Sequence, residues 1–257
     1  MIRTVKIHNL LLIFIILIAL AGPCWCASLN NVNNDSLMTE QGDDDFFEDL
    51  YGDDGDVDAI ADPLETFNRG MFWFNDKCYF YVLKPLACGF RVVPEHVRTG
   101  LGNMFDNLKS PLYAVNAFLQ FKFKRMASET TRLVVNSTIG LAGFFDLADS
   151  LWGLEKKEED FGQTLGYYGV GEGFYLVIPV LGASSLRDGL SIIPDGYADP
   201  IYWLANFEAT LACKGVSMVN RTSLDRDTYE SIVEEQLDPY LFVRDAYTQH
   251  RRGKVAD

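Results

Sequence analysis

From residue 62 onward the apolar positions recur mostly with a helical period, and the breaks in that rhythm divide the chain into helices. Asp62-Pro63 predicts a helix start, with Asp62 as cap and Pro63 in the first turn, followed by Glu65 and Arg69 at i, i+4. Phe67, Met71, Phe72, Phe74 and Tyr79 make this helix strongly aromatic. Near Pro94 a second helix begins, its stripe being Val97, Leu101, Met104, Phe105 and Leu108. Ser110-Pro111 predicts the opening of a third helix, to about Val135. Its first half is apolar nearly all round, from Leu112 to Phe123, so it is either centrally buried or faces lipid. Asn116, Gln120 and Lys124 recur on it at i, i+4 and form a polar row. Unsatisfied polar groups in lipid are costly, so the row either meets a lipid headgroup, or faces solvent or makes interhelical hydrogen bonds.

A shorter helix is predicted over 144–151. Gly162, Gly166, Gly169, Gly171 and Gly173 then make a glycine-rich loop, leading to an extended run, Phe174 to Val180, interrupted by Pro179. Ser184 or Ser185 caps a helix to about Ile193, and further helices fall at 199–219, 225–236 and 238–251. The basic tail, 252–257, is expected to fray. The expected fold is all-α: a single bundle of amphipathic helices with a short glycine-rich extended loop.

The N-terminus differs. Arg3, Lys6 and His8 precede an unbroken apolar run, Leu10 to Ala21, which Gly22-Pro23 ends. As a helix the run would be ~18 Å long, against about 30 Å for a bilayer core, so it has the length of a signal-peptide core. Leu20-Ala21-Gly22 resembles the approach to a lipidation site, but Pro23 stands before Cys24. Lipidation at Cys24 and ordinary cleavage after Cys26 both stay open. Residues 1–26 are assigned to a signal peptide. Residues 27–61 are assigned to a disordered acidic tether, because Asp43 to Asp58 holds nine acidic residues in sixteen and few aliphatic ones.

That run supplies much of the net charge of −14 and leaves the rest only mildly acidic. No basic footprint for nucleic acid is present. Hydrophobic residues make up 48% of the chain, ample for a core, and the 18 Phe, 12 Tyr and 4 Trp suit either a packed core or a membrane interface. Cys78, Cys88 and Cys213 are an odd number after the leader, so at most one internal pair can form.

No catalytic constellation is spelled out. His96 and His250 stand without ligand-spaced partners, and G-x-S-x-G, S-x-x-K, H-E-x-x-H and C-x-x-C are absent. The acidic Asp53–Asp58 segment lacks EF-hand spacing, and Gly169-Val170-Gly171-Glu172-Gly173 is not a dinucleotide fingerprint. Glu158-Glu159-Asp160 reads as a solvated turn. No catalytic residue, metal ligand or cofactor is expected.

Several long motifs, in order, carry a resemblance: Asp62-Pro63-Leu64-Glu65-Thr66-Phe67-Asn68-Arg69, Val97-Arg98-Thr99-Gly100, Arg132 through Gly140, and Gly143-Phe144-Phe145-Asp146. Glu159-Asp160-Phe161-Gly162-Gln163-Thr164-Leu165-Gly166 and Ser184-Ser185-Leu186-Arg187-Asp188 follow. Together they resemble the MlaA/VacJ lipoproteins of Gram-negative outer membranes, over Asp62 to about Pro239 within an expected helical lipid-transport domain at 62–251. The resemblance implies a ring of helices lying in the inner, periplasmic leaflet of the outer membrane. It implies phospholipid transport that preserves lipid asymmetry, with a trimeric porin and a soluble periplasmic lipid carrier as partners. Phe67, Asn68, Asp160, Phe161, Gly162 and Gln163 are the motif positions it singles out, and Asn116, Gln120 and Lys124 are the lipid-path candidates. The alternatives from other classes are a soluble periplasmic hydrolase and a structural envelope adaptor.

Overall fold

A computed structural model describes residues 59–225 and 227–257. The signal peptide, Cys24 and nearly all of the acidic tether lie outside the described residues. The described chain is helical apart from one small hairpin. Helix α1 spans Glu65–Cys78 and passes through a π-helical turn, Tyr79–Leu83, into α2, Lys84–Phe90. Then come α3 (Glu95–Leu119), α4 (Phe123–Thr138), α5 (Leu147–Trp152) and α6 (Phe161–Tyr167). The hairpin is β1 (Tyr175–Ile178) and β2 (Gly182–Ser185), antiparallel with Tyr175 opposite Ser185. Five helices complete the chain: α7 (Leu186–Ala198), α8 (Pro200–Leu204), α9 (Phe207–Leu224), α10 (Thr228–Glu235) and α11 (Pro239–Ala256).

Several predicted boundaries move. Asp62 does not cap α1, whose cap position is Leu64. Instead its carboxylate accepts from Asn68 Nδ2 at 2.7 Å and from the Tyr240 hydroxyl, which ties α1 to α11. Helix α3 runs through Pro111 rather than starting there. A proline inside a helix removes one backbone hydrogen bond. Packing of α3 along α4, the most extensive helix–helix contact in the fold, keeps the helix going.

The break comes instead at Gln120-Phe121. Phe121 takes a left-handed φ of 57°, Lys122 N donates to Ala117 O at 2.9 Å, and Phe121 N donates to Phe118 O at 3.0 Å. This is a Schellman closure, with phenylalanine where glycine usually stands. The predicted helix at 199–219 is likewise two, because Asn206 stops α8 and caps α9 by accepting from Ala209 N at 2.8 Å.

Both predicted ends of the domain also shift outward. Ile60 is only 4% exposed and packs with Tyr175, Val177 and Tyr240 in an apolar cluster. Tyr175 N donates to Ala61 O at 2.9 Å, so the domain begins at about residue 60, before the expected end of the tether. The tail does not fray. Helix α11 continues to Ala256, and Arg252 pairs with Glu172, and Lys254 with Glu158 at 3.6 Å. These contacts hold a stretch whose composition alone suggested none.

Candidate functional site

The interior of the bundle is mostly polar. Two neighbouring helices, α6 and α7, pack together and begin beside one another, each capped by its own side chain. Asp160 accepts from Gln163 N at 2.8 Å, and Ser185 accepts from Asp188 N at 3.2 Å. Acidic groups suit helix N-termini, where the backbone presents unpaired N–H groups and a partial positive charge.

Arg251 of α11 reaches between the two ends. Its NH1 and NH2 lie 2.6 and 2.9 Å from the Asp160 oxygens, and its Nε lies 2.7 Å from Asp188 Oδ2. Tyr247 donates to the same Asp188 oxygen, and Arg187 Nε donates to the other at 3.0 Å. Burial alone would raise both carboxyls. The hydrogen bonds and charge of Arg251, joined by the Gln163 N–H on Asp160 and by Tyr247 and Arg187 on Asp188, together outweigh it, holding Asp160 below its ordinary range and Asp188 down to about 2. Gly162 lets these groups meet, since a Cβ there would collide with the Asp188 carboxylate and crowd Arg251.

Asp195 of α7 behaves oppositely. It accepts from Phe161 N at 3.0 Å and faces Asn116 Nδ2 at 3.4 Å. Burial pushes it up to about 6. The Phe161 hydrogen bond pulls the other way, and the nearby Asp160 charge adds to the rise.

A second cluster closes around Glu159, which is 1% exposed. Gln120 Nε2 donates to Glu159 Oε2 at 2.8 Å, Lys122 Nζ lies 3.3 Å from Oε1, and Arg125 pairs with the same oxygen. Thr164 donates to Asn116 Oδ1 at 3.0 Å. The expected solvated turn at Glu158-Glu159-Asp160 is therefore corrected: Glu159 is enclosed and paired.

The predicted row of Asn116, Gln120 and Lys124 is corrected too. With α3 ending at Leu119, Lys124 belongs to α4 and is exposed, while Asn116 and Gln120 are buried with their amides engaged by protein groups. Of the motif positions, Asn68 is wholly buried and pins β1, donating to Tyr175 O at 3.0 Å and accepting from Val177 N at 2.9 Å. Its neighbour Phe67 is about half exposed. Gln163 is buried and donates to Glu158 O at 3.0 Å. Arg132, Asn136 and Asp146 form a similar knot. Asp146 accepts from Arg132 at 2.6 Å and Asn136 at 2.9 Å, and it caps α5.

Sequence reasoning missed Arg251, Asp188, Asp195 and Glu159. Glu159 and Asp188 stood inside the quoted motifs, but nothing local marked any of the four as paired. The outer surface inverts the usual rule, with large apolar side chains standing out, above all around α8: Trp203 is 72% exposed and Phe207 83%.

The family described as MlaA lipoprotein matches residues 60–254. The chain belongs to the MlaA lipoprotein family. Among MlaA proteins it resembles the Escherichia coli protein named intermembrane phospholipid transport system lipoprotein MlaA. That relative is 35% identical over 200 residues, covering 76% of this chain and 78% of its own. The same-named Haemophilus influenzae protein is 33% identical over 205 residues, covering 78% and 82%. An uncharacterised Rickettsia bellii protein is 32% identical over 227 residues, covering 86% and 89%. A solved structure from work on the "structural basis for maintenance of bacterial outer membrane lipid asymmetry" superposes with a TM-score of 0.68 at 33% identity. It covers 76% of this chain and 99% of that one. The expected all-helical, ring-like MlaA architecture with a short extended element is the fold of this chain.

Proposed function

We propose that this chain is a phospholipid-transport protein of the outer membrane, working within a system that keeps phospholipid out of the outer leaflet. The observation that carries the proposal is the inverted polarity. Exposed apolar side chains are costly in water and comfortable in lipid, and buried ion pairs need hydrogen-bonded partners wherever they lie. Trp203, Leu204 and Phe207 project outward, while Glu159, Arg132, Asp188 and Arg251 lie inside. Among the described residues no helix is long and apolar enough to cross a membrane. That combination suits a domain lying in the periplasmic leaflet, its apolar rim among acyl chains and a polar interior available to headgroups. The family match and the names of its relatives agree with this use.

A trimeric porin would seat the domain beside the outer leaflet, and a soluble periplasmic carrier would receive the lipid. Lys124, exposed at the start of α4, remains a candidate headgroup contact, whereas Asn116 and Gln120 serve by holding the Glu159 cluster. Cys24 would add an acyl anchor if lipidated. The test is deletion of the gene followed by labelling of surface phospholipid. Outer-leaflet phospholipid should rise and return to normal on complementation. Unchanged surface phospholipid would sink the proposal.

A further inference from the structure

Helix α7 turns one side toward a cavity. Asp188, Ser191, Ile192 and Asp195, at i, i+3, i+4 and i+7, line it and face Ser184 of β2 and Arg251 of α11. Its volume is about 220 Å³. Pockets for whole drug-sized ligands run to roughly 300–1,000 Å³, so this one admits a small polar group rather than an entire lipid. Ile192 is exposed, so the polar cavity adjoins the apolar outer surface.

The cavity presents acceptors and few donors. Arg251 spends Nε on Asp188 and both terminal nitrogens on Asp160. Ser191 Oγ donates its proton to Asp188 O at 2.7 Å, and Ser184 Oγ donates to Ser185 O at 3.3 Å. Both serines are more than nine-tenths buried, and among the described residues no group donates to either hydroxyl oxygen. Their lone pairs are left for whatever enters. Charge points the same way. Asp160 and Asp188 share Arg251, and Asp188 also holds Arg187. Asp195 accepts only from the amides of Phe161 and Asn116, and among the described residues no cation stands at ion-pair distance from it. Burial, little opposed, pushes it up to about 6.

We propose that this cavity binds a primary ammonium group, the ethanolamine end of an aminophospholipid headgroup, with Asp195 as its counter-ion and Ser184 and Ser191 as hydrogen-bond acceptors. The lipid assignment rests on the transport function proposed above. An ammonium brings one positive charge and three N–H donors with no acceptor, the complement of a lining with one unpaired carboxylate and two hydroxyls whose protons are already spent. A quaternary ammonium keeps the charge but has no N–H to give. A glycerol headgroup can donate from its hydroxyls but carries no positive charge. Of the three, only the primary ammonium meets both demands.

The test uses the full chain purified in mild detergent at pH 7.5, where Asp195 is ionised. It is titrated with the dihexanoyl forms of phosphatidylethanolamine, phosphatidylcholine and phosphatidylglycerol. Phosphatidylethanolamine should bind about tenfold more tightly than the other two, the worth of one hydrogen bond to a charged group. Asp195→Asn should abolish that preference and leave phosphatidylglycerol binding unchanged. Ser191→Ala should narrow it to about threefold, the loss of one acceptor among several. Denaturant unfolding of each variant separates lost recognition from lost structure. Equal binding of the three lipids by the parent chain, or a preference that survives Asp195→Asn, overturns the site. Competition by millimolar free ethanolamine assigns the site to the ammonium as such. Lack of competition, with the preference intact, assigns it to the lipid headgroup. Surface phospholipid in the deletion strain judges the transport function separately, so either can fail alone.

Discussion

The clasp around Arg251 and the outer face of α8 and α9 follow opposite rules. In the clasp, one guanidinium binds two carboxylates at 2.6–2.9 Å, and Arg251 and Asp188 are nearly enclosed. On the outer face, Trp203, Leu204, Phe207 and Leu211 are mostly exposed. A water-soluble domain would reverse the two. The contrast shows that stability and placement reside in different parts of this molecule: the polar interior holds the helices together, and the apolar exterior sets the medium they sit in.

The comparison breaks most severely at Arg251. Replacing it with Met leaves Asp160 without its cation and buried Asp188 with Arg187 alone, a loss of ~3–5 kcal/mol, to be read from denaturant unfolding in mild detergent. Gly162→Ala attacks the same clasp sterically. Its Cβ would press on the Asp188 carboxylate, and the same measurement should show a loss of ~1–3 kcal/mol.

Asp195 sharpens the comparison, because it is the clasp's one ill-matched acid. Its folded value, about 6, lies above the ordinary 3.8, so the fold prefers the protonated form. Its contribution is therefore full below pH ~3.8 and is lost as pH rises through about 6. Asp195→Asn should stabilise the protein at pH 7.5 by ~1–2 kcal/mol, and the gain should vanish near pH 4. A pH-independent difference would show that Asp195 is not the cause. The smallest stability change belongs to the outer face. Changing Trp203, Leu204 and Phe207 together to Ser should shift unfolding in detergent by only ~0.5 kcal/mol per site, yet release the protein from floated vesicles. Retention on the vesicles would show that this face does not hold the membrane.

How much of this was legible beforehand differs between the two regions. The outer face was legible only in part: aromatic density showed in the sequence but suited a packed core as well as a membrane interface, and nothing marked Trp203, Leu204 and Phe207 as exposed. Helix α7 was also legible from Ser185, whose capping role depends on neighbours three residues away. The clasp was not, since Asp160 and Arg251 are ninety-one residues apart and only tertiary packing brings them together. Arg251 also stood in a basic stretch that looked like any solvated helix end. The break at Gln120-Phe121 was hidden for a local reason: the turn uses Phe in a left-handed conformation, where glycine would have advertised it. That one omission put Lys124 on the wrong helix and made a polar row where the protein has a capped end.

The position of Arg251 in chain order bears on how the molecule is made. A polypeptide emerging from its N-terminus presents Asp160 first, then Asp188, and their guanidinium only sixty-three residues later. Until α11 arrives, Asp160 has no cation and Asp188 has only Arg187 of its own helix, so the clasp can close only when the last helix docks.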